Sequence, residues 1–465
     1  MLEKIKRHKG VIILLAIIFL FQIYTLFMHR IPAWDESVYV GIGKYLFSAG
    51  TAGLFEDIRA LGLPFITGFL WKIGLNPLIA GEFVITFFTM GVVLLIYLIA
   101  LHFVKKNYAL IASVLFFFTP VVFKYHIEIM TEMPAVFFGL LSVYFLIKNK
   151  HAFWVGILAG VSFLFRFPMA LLFFALIAVY LIDIYNKHSK WKHLFYLCLG
   201  GFVALLPFFI FNLVNYYPQY NLFEALIHPV LQNNRLFSGE YAWYWDLGYS
   251  FYFKELLMQN FVLLFAFVGL FYYSKNQHYR LKKYNVLVIT SIIILAYLTL
   301  QKWKSDRFLI ILLPFLILLS VYGILQLKIK HFRYAAYLLV IIFLALSFIK
   351  INQLCPYKFE RQALLSDYYE KFSSINGTIL TTDPAITMFT DALLIPVYTN
   401  LAFAEQKYEE YKNKVGYVQW SDSFPCRDNE CSSRKVALFD KIKSENQLLF
   451  EKDGNYLFKS YSSLS

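Results

Sequence analysis

Apolar runs long enough to matter recur along most of the chain. They lie at about 10–29, 77–104, 107–123, 132–147, 151–165, 167–185, 194–214, 257–273, 285–301, 307–326 and 334–350. A helix needs roughly 20 mostly apolar residues to cross a bilayer, so the pattern predicts about eleven spans. The fourth and fifth runs are short, and Arg166-Phe167-Pro168 interrupts the series. The first run is long and has no small-residue cleavage site, so it predicts an anchor rather than a cleaved signal. After Lys350 the pattern changes. Short strand-like runs stand at Gly377–Thr382, Leu393–Tyr398 and Val415–Trp420, and Asp453-Gly454 between Phe450 and Tyr456–Phe458 predicts a hairpin. Helices are expected near 357–372, 384–391 and 402–412. The expected fold class is a polytopic α-helical membrane protein. Residues 1–350 form its transmembrane part, with long outer loops at about 30–76 and 215–256, and residues 351–465 a small external α/β domain.

Composition agrees. Residues of the set AVILMFWYC make up 59% of the 465, mean hydropathy is +0.59 and only 15% are Asp, Glu, Lys or Arg. A soluble domain carries about 25% charged residues. Disorder, a coiled coil and a disulfide scaffold are excluded on the same grounds. The net charge of +14 would suggest nucleic acid if it were spread over one face, but its placement argues otherwise. Of the 30 Lys and Arg before position 351, 18 fall in one alternate set of short loops. Basic short loops face the cytosol. This predicts a multi-pass plasma-membrane protein with a cytoplasmic N-terminus and an extracytoplasmic tail. The membrane part carries +16 and the tail −2, so no nucleic-acid partner is implied. Twelve of the 14 acids before position 351 lie in or near the outer loops, which are also the long ones. Long loops usually carry function.

Three clusters have the makings of chemistry. Asp35 and Glu36 are adjacent acids in Pro32-Ala-Trp-Asp-Glu-Ser-Val-Tyr39. On a helix they diverge by about 100°, so one can face a cavity while the other bonds the scaffold. A partly desolvated carboxylate suits general-base work, but capping the first turn of an interfacial helix is the competing reading. Glu128 and Glu132, with His126, open the fourth span, and four-residue spacing sets the two acids on one face. They could orient sugar hydroxyls or hold a divalent cation through oxygens. Equally, Thr131 could cap the helix with Glu132 in its first turn. Lys304, Arg307 and the isolated Arg166 are cations on the expected outer side. They suit a phosphate clamp or snorkelling to the interface. The aromatic residues of 215–256, among them Tyr216, Tyr217, Tyr241, Trp243, Tyr244 and Trp245 beside His228 and Arg235, suit interface anchoring or sugar stacking. Cys198 is expected to be a free buried thiol, whereas Cys426 and Cys431 close a short external loop and are as apt to be bridged as not. The tail lacks the His and Cys for a zinc site. No Walker loop, GxSxG, HExxH or CxxC is present.

Four segments together resemble the GT-C membrane glycosyltransferases, in the branch of protein O-mannosyltransferases and the lipid A aminoarabinose transferase. They are Pro32–Tyr39; Arg59-Ala-Leu-Gly-Leu-Pro64 with Gly74-Leu75-Asn76; Thr131-Glu-Met-Pro-Ala135 with Phe137-Phe138; and Asp306-Arg-Phe-Leu309 with Leu313-Pro314. The resemblance implies an inverting transferase that moves a sugar from a polyprenyl- or dolichyl-phosphate carrier to an extracytoplasmic protein, lipid or glycan. It matches Asp35 and Glu132 to the two acidic catalytic positions; Glu36, Glu128 and His126 are candidates for support, and Glu128 also competes with Glu132 for the second position. It matches Arg307 to the position facing the donor phosphate, where Lys304 and Arg166 would assist. It implies no firm cofactor, and a divalent cation stays open. The second site has Glu where some relatives have Asp, and the first loop has no DxD. The alternative from another class is a multispan transporter or lipid-carrier flippase. That reading needs internal pseudo-symmetry and paired broken helices, which the sequence does not show.

Overall fold

A computed structural model describes residues 8–26, 32–238, 248–276, 281–360, 366–398, 400–422, 424, 426 and 429–461. Tyr241, Trp243, Tyr244 and Trp245 lie outside them. Every apolar run predicted above contains helix. Among the described residues, five helices are long and apolar enough to cross a membrane: Pro77–Ala100, Phe167–Tyr185, Trp191–Tyr216, Lys282–Leu300 and Lys330–Ile351. A sixth crossing results if Phe251–Gln259 and Phe261–Lys275, bent by 117°, form one broken span. Five more apolar helices have only 10–17 residues. Several of the apolar runs are therefore shorter or more broken as helices than as sequence, and proline is one reason. Proline lacks an N–H and disfavours helix just before it. The run at 107–123 is split into Lys106–Phe117 and Pro120–Tyr125, and that at 307–326 becomes a 3-10 segment Asp306–Ile311 followed by the helix Leu313–Gln326.

The chain falls into two compact units. The first comprises Met1–Thr25, Asp57–Gly62 and Phe83–Leu354; the second comprises Leu26–Glu56, Leu63–Glu82 and Cys355–Ser465. In the first, helices meet at glycines. A Cβ on Gly156 would lie 2.0 Å from the Leu197 carbonyl oxygen, and one on Gly200 would lie 2.0 Å from that of Phe153. The backbones of Ala152–Phe165 and Trp191–Tyr216 therefore touch. Close backbone approach at small residues is how helices gain dispersion contact where lipid removes the hydrophobic drive. The opposite side of Trp191–Tyr216 leaves Leu199, Phe202, Leu206, Ile210 and Val214 exposed. Cys198 lies exposed as well, which corrects the expectation of a buried thiol: the apolar span marks lipid-facing and protein-facing positions alike.

The second unit holds a five-stranded sheet of β1 (Thr378–Thr381), β2 (Leu393–Pro396), β3 (Tyr417–Ser421), β4 (Asn446–Lys452) and β5 (Asn455–Ser460), in the order β2-β1-β3-β5-β4. β1 runs parallel to β2 and β3, and β5 is antiparallel to β3 and β4. The β4–β5 turn has φ of 48° at Asp453 and 71° at Gly454, the two positive values that a type I′ hairpin turn needs. Leu380, Val418, Trp420 and Phe458 from the strands pack with Tyr408, Leu438 and Ile442 from the helices Leu401–Tyr411 and Asn429–Glu445. The second of these helices was not anticipated; Leu438 and Ile442, four apart, are its buried stripe. At its start, Cys431 in the first turn forms a disulfide with Cys426. The expected helix at 384–391 is only a 3-10 turn, Pro384–Met388.

Open α/β sheets commonly hold ligands beyond the carboxyl ends of their parallel strands. In this sheet that place is filled. Gln419 Oε1 accepts from Thr381 Oγ1 (2.8 Å) and from the backbone N–H groups of Thr382 and Asp383 (3.0 Å each). The buried Asp383 carboxylate accepts from the Ala385 N–H (2.8 Å) and the Tyr369 hydroxyl (2.9 Å). Burial raises its carboxyl above the usual carboxylate range, and these two bonds pull it back only in part. In the unfolded chain the group is an ordinary Asp, so ionisation costs the fold stability as pH rises from the ordinary Asp value through the raised one. Asp383→Asn keeps an oxygen to accept the Ala385 N–H, offers an amide N–H that the Tyr369 hydroxyl oxygen can accept, and carries no charge. It is expected to raise the melting temperature of the purified protein at pH 7, with the gain shrinking as pH falls below the raised value; a gain independent of pH would contradict this account.

Candidate active site

In the first unit, Pro168 ends the Ala152–Phe165 helix early and leaves Arg166 in extended backbone (φ −156°, ψ 116°) between that helix and the 3-10 turn Phe167–Met169. Its side chain does not reach outward. Arg166 Nη1 lies 2.9 Å from Glu132 Oε1 and donates to Thr131 Oγ1 at 3.2 Å. Glu132 is the first residue of the Glu132–Ile147 helix, and its side chain is only 2% exposed. Arg307, in the 3-10 segment Asp306–Ile311, brings Nε to 3.7 Å from the same Oε1. Phe308 stands beside both cations, with its ring centre 4.9 Å from Arg166 Cζ and 5.4 Å from Arg307 Cζ. Thr131 makes no side-chain cap to the helix; its hydroxyl faces Arg166 instead. The sequence pattern left capping and a polar site both open for Thr131 and Glu132, and the geometry shows a polar cluster.

The Glu132 carboxylate meets two guanidiniums here, and these three side chains together carry one formal positive charge in a setting that disfavours charge. Each guanidinium brings five N–H donors in a planar fork, a shape that suits carboxylate and phosphate oxygens. Such a cluster is chemically matched to a phosphate. Asp306 holds the segment that presents Arg307. Its Oδ1 accepts the Arg307 N–H (2.9 Å) and the Tyr125 hydroxyl (3.2 Å), and its Oδ2 pairs with Lys124 Nζ at 3.3 Å. Lys124, Tyr125 and Phe308 were not singled out from the sequence. Phe308 was readable in the Asp-Arg-Phe-Leu segment, whereas Lys124 is 182 residues from Asp306 and becomes its neighbour only through the fold.

The other candidates of this unit divide. Glu128 is buried in the turn before the Glu132–Ile147 helix. His126 is fully buried; its Nδ1–H donates to the Phe123 carbonyl (2.6 Å), and the rings of Phe21, Phe117 and Phe123 lie 4.8–5.5 Å away. The Lys304 amine donates to the Gln301 carbonyl within its own loop and lies 5.9 Å from the Tyr249 ring. Part of the aromatic loop packs inward, for His228 pairs with Asp57 (3.1 Å) and lies between Tyr216 and Tyr220 at 4.3 and 4.4 Å. Among the described residues no group of three or more His, Cys, Asp or Glu side chains is placed to hold a metal ion.

In the second unit, Asp35 and Glu36 lie in the first turn of the Trp34–Phe47 helix, and both are buried. Glu36 Oε2 accepts the Ala33 N–H at 2.5 Å, which is the acid half of a capping box. Ala33 has no side-chain acceptor to supply the other half. Glu36 therefore serves the helix end, and Asp35 is the acid of the pair turned elsewhere on the helix. Lys44, from the last turn, is 2% exposed. Its amine donates to the Thr390 carbonyl and pairs with Asp391 Oδ1, both at 2.8 Å. Burial pushes this amine below the ordinary lysine value, and Asp391 draws it back up.

Residues 59–211 match the family model described as dolichyl-phosphate-mannose-protein mannosyltransferase. No curated protein sequence matches the chain. Among solved structures, ArnT from Cupriavidus metallidurans bound to undecaprenyl phosphate is similar with a TM-score of 0.70 at 12% identity, over 98% of this chain and 99% of that one. The archaeal oligosaccharyltransferase AglB from Archaeoglobus fulgidus, in complex with an inhibitory peptide and a dolichol-phosphate, is similar with a TM-score of 0.58 at 13% identity, over 98% and 74%. The resemblance carried by the four short segments is thus borne out: the chain has the fold of the GT-C membrane glycosyltransferases, and its segment 59–211 matches the protein mannosyltransferase model.

Proposed function

We propose that the protein is an inverting glycosyltransferase that moves a sugar from a polyprenyl-phosphate carrier to an extracytoplasmic acceptor. The observation that carries this reading is the convergence of Arg166 and Arg307 on Glu132. A lipid-linked donor must be met at the membrane, and its leaving group is a phosphate. Paired guanidiniums stabilise the charge that grows on that phosphate as the C1–O bond breaks. Glu132 acts as the organiser that holds both cations. Asp35 takes the proton of the acceptor hydroxyl while its oxygen attacks C1, and the carrier phosphate leaves with the bonding electrons. One attack with one base gives inversion, as in inverting glycosidases. The bias of Lys and Arg toward one set of loops supports a cytosolic N-terminus and an external tail.

Carrier recognition tests this reading directly. Undecaprenyl phosphate is expected to raise the melting temperature of the purified protein, whereas undecaprenol of the same length is not. Equal stabilisation by the two lipids would remove the phosphate site from the account.

A further inference from the structure

Residues of the first outer loop and of the tail that meet lie 320–350 positions apart in sequence, yet the two segments share one compact unit, and the contacts that join them are specific. Thr387 Oγ1 donates to the Ser37 carbonyl at 2.8 Å, two residues from Asp35. The Gly53 N–H donates to the Ala392 carbonyl (2.9 Å), and its own carbonyl accepts from Leu394 N–H (2.7 Å), so the loop adds a rung at the β2 edge. At Gly53 φ is +77°, and a Cβ there would lie 2.2 Å from the Gly41 carbonyl oxygen. The Tyr398 hydroxyl donates to Glu56 (2.5 Å), and its ring lies 4.6 Å from that of Trp34. At the far end of the Trp34–Phe47 helix, Lys44 reaches Thr390 and Asp391, and Trp71 Nε1 donates to the same Asp391 oxygen at 3.0 Å.

We infer that the tail segment Thr387–Tyr398 is a clamp for the helix carrying Asp35, and that Lys44 and Asp391 are positioning residues for that acid. The inference rests on the reading of Asp35 as the base. A buried amine is costly unless paired, so Lys44 is held where its partners are, and nine residues of rigid helix (about 13.5 Å) link it to Asp35. The Ser37 contact fixes the same helix near its start. Two anchors, one near each end, determine both the axis and the rotation of the helix, and thereby the direction in which Asp35 points.

The test uses the purified full chain in nanodiscs, with hydrogen exchange of the 35–47 peptides measured beside kcat and donor KM. Asp391→Asn is expected to speed exchange in that segment and to lower kcat at least ten-fold with donor KM nearly unchanged. Asp391→Glu is expected to restore most of the rate, and Thr387→Val to show a smaller loss of the same kind. Should Asp391→Asn fail to fold, Lys44→Met with Asp391→Leu leaves no buried charge and is expected to fold and show the same loss of kcat. Unchanged exchange overturns the clamp. Faster exchange with wild-type kcat, or a rise in donor KM in place of the kcat loss, overturns the positioning role. The exchange arm stands whatever Asp35 does: normal turnover by Asp35→Asn would sink the base and leave the clamp to be judged on exchange alone.

Discussion

Asp35→Asn is expected to lower kcat by about 10²–10⁴-fold, the range by which a positioned general base accelerates proton transfer, with the protein still folded and donor KM little changed. The amide keeps the shape of the carboxylate and cannot take the acceptor proton. The neighbouring acid provides the control. Glu36 accepts the Ala33 N–H, a bond that a Gln amide oxygen can keep, so Glu36→Gln should leave the helix end nearly as stable and cost much less in rate. Steady-state rates and melting curves on the two variants separate the roles. A near-normal rate for Asp35→Asn, or a larger rate loss for Glu36→Gln, would exchange or remove the assignments.

The second large effect belongs to Arg307. Arg307→Ala removes one cation from the trio and leaves Glu132 with Arg166 alone, so the formal charge falls from +1 to zero. A hydrogen bond to a charged group contributes about 1.5–3 kcal/mol, and 1.4 kcal/mol is a factor of ten. Donor KM is therefore expected to rise by roughly 10–100-fold. Because the phosphate gains charge as it leaves, kcat should fall as well. Arg307→Lys retains the charge and loses the fork, and it should recover only part of the loss. Measured donor KM and kcat that both stay at wild-type values would show that the guanidinium serves the scaffold alone.

How much of this was legible in the sequence depends on whether a feature is local or is made by the fold. The apolar runs located the helices, because hydrophobic length is a local property. They did not mark the helix ends, because Pro120, Pro168 and Pro314 divide or delay helices that composition alone would run together. The Asp453-Gly454 turn was readable for the same reason, since two positive φ values are asked of two adjacent residues. Asn429–Glu445 was missed because only Leu438 and Ile442 of its 17 residues are buried, too narrow a stripe to stand out among charges. Asp35 and Glu36 could be seen as a pair with divided duties, but which acid caps the helix depended on the Ala33 N–H. The meeting of Arg166, Glu132 and Arg307 could not be read from periodicity. Those residues lie 34 and 141 positions apart along the chain, and only the packing of their helices joins them. Resemblance singled out Arg307 and Glu132 one at a time; the structure adds that the acid and the cations hold one another.

Glycosyl transfer from a polyprenyl-phosphate donor is measured most directly by turnover. Purified protein is supplied with a panel of radiolabelled polyprenyl-phosphate sugars and a set of protein, lipid and glycan acceptors, and both label transfer and free carrier phosphate are followed. The account predicts that one donor class loses its sugar to an acceptor in step with carrier release, in wild-type protein and not in Asp35→Asn. Carrier and sugar that stay joined across every donor and acceptor pair, or release that proceeds equally in Asp35→Asn, would contradict it.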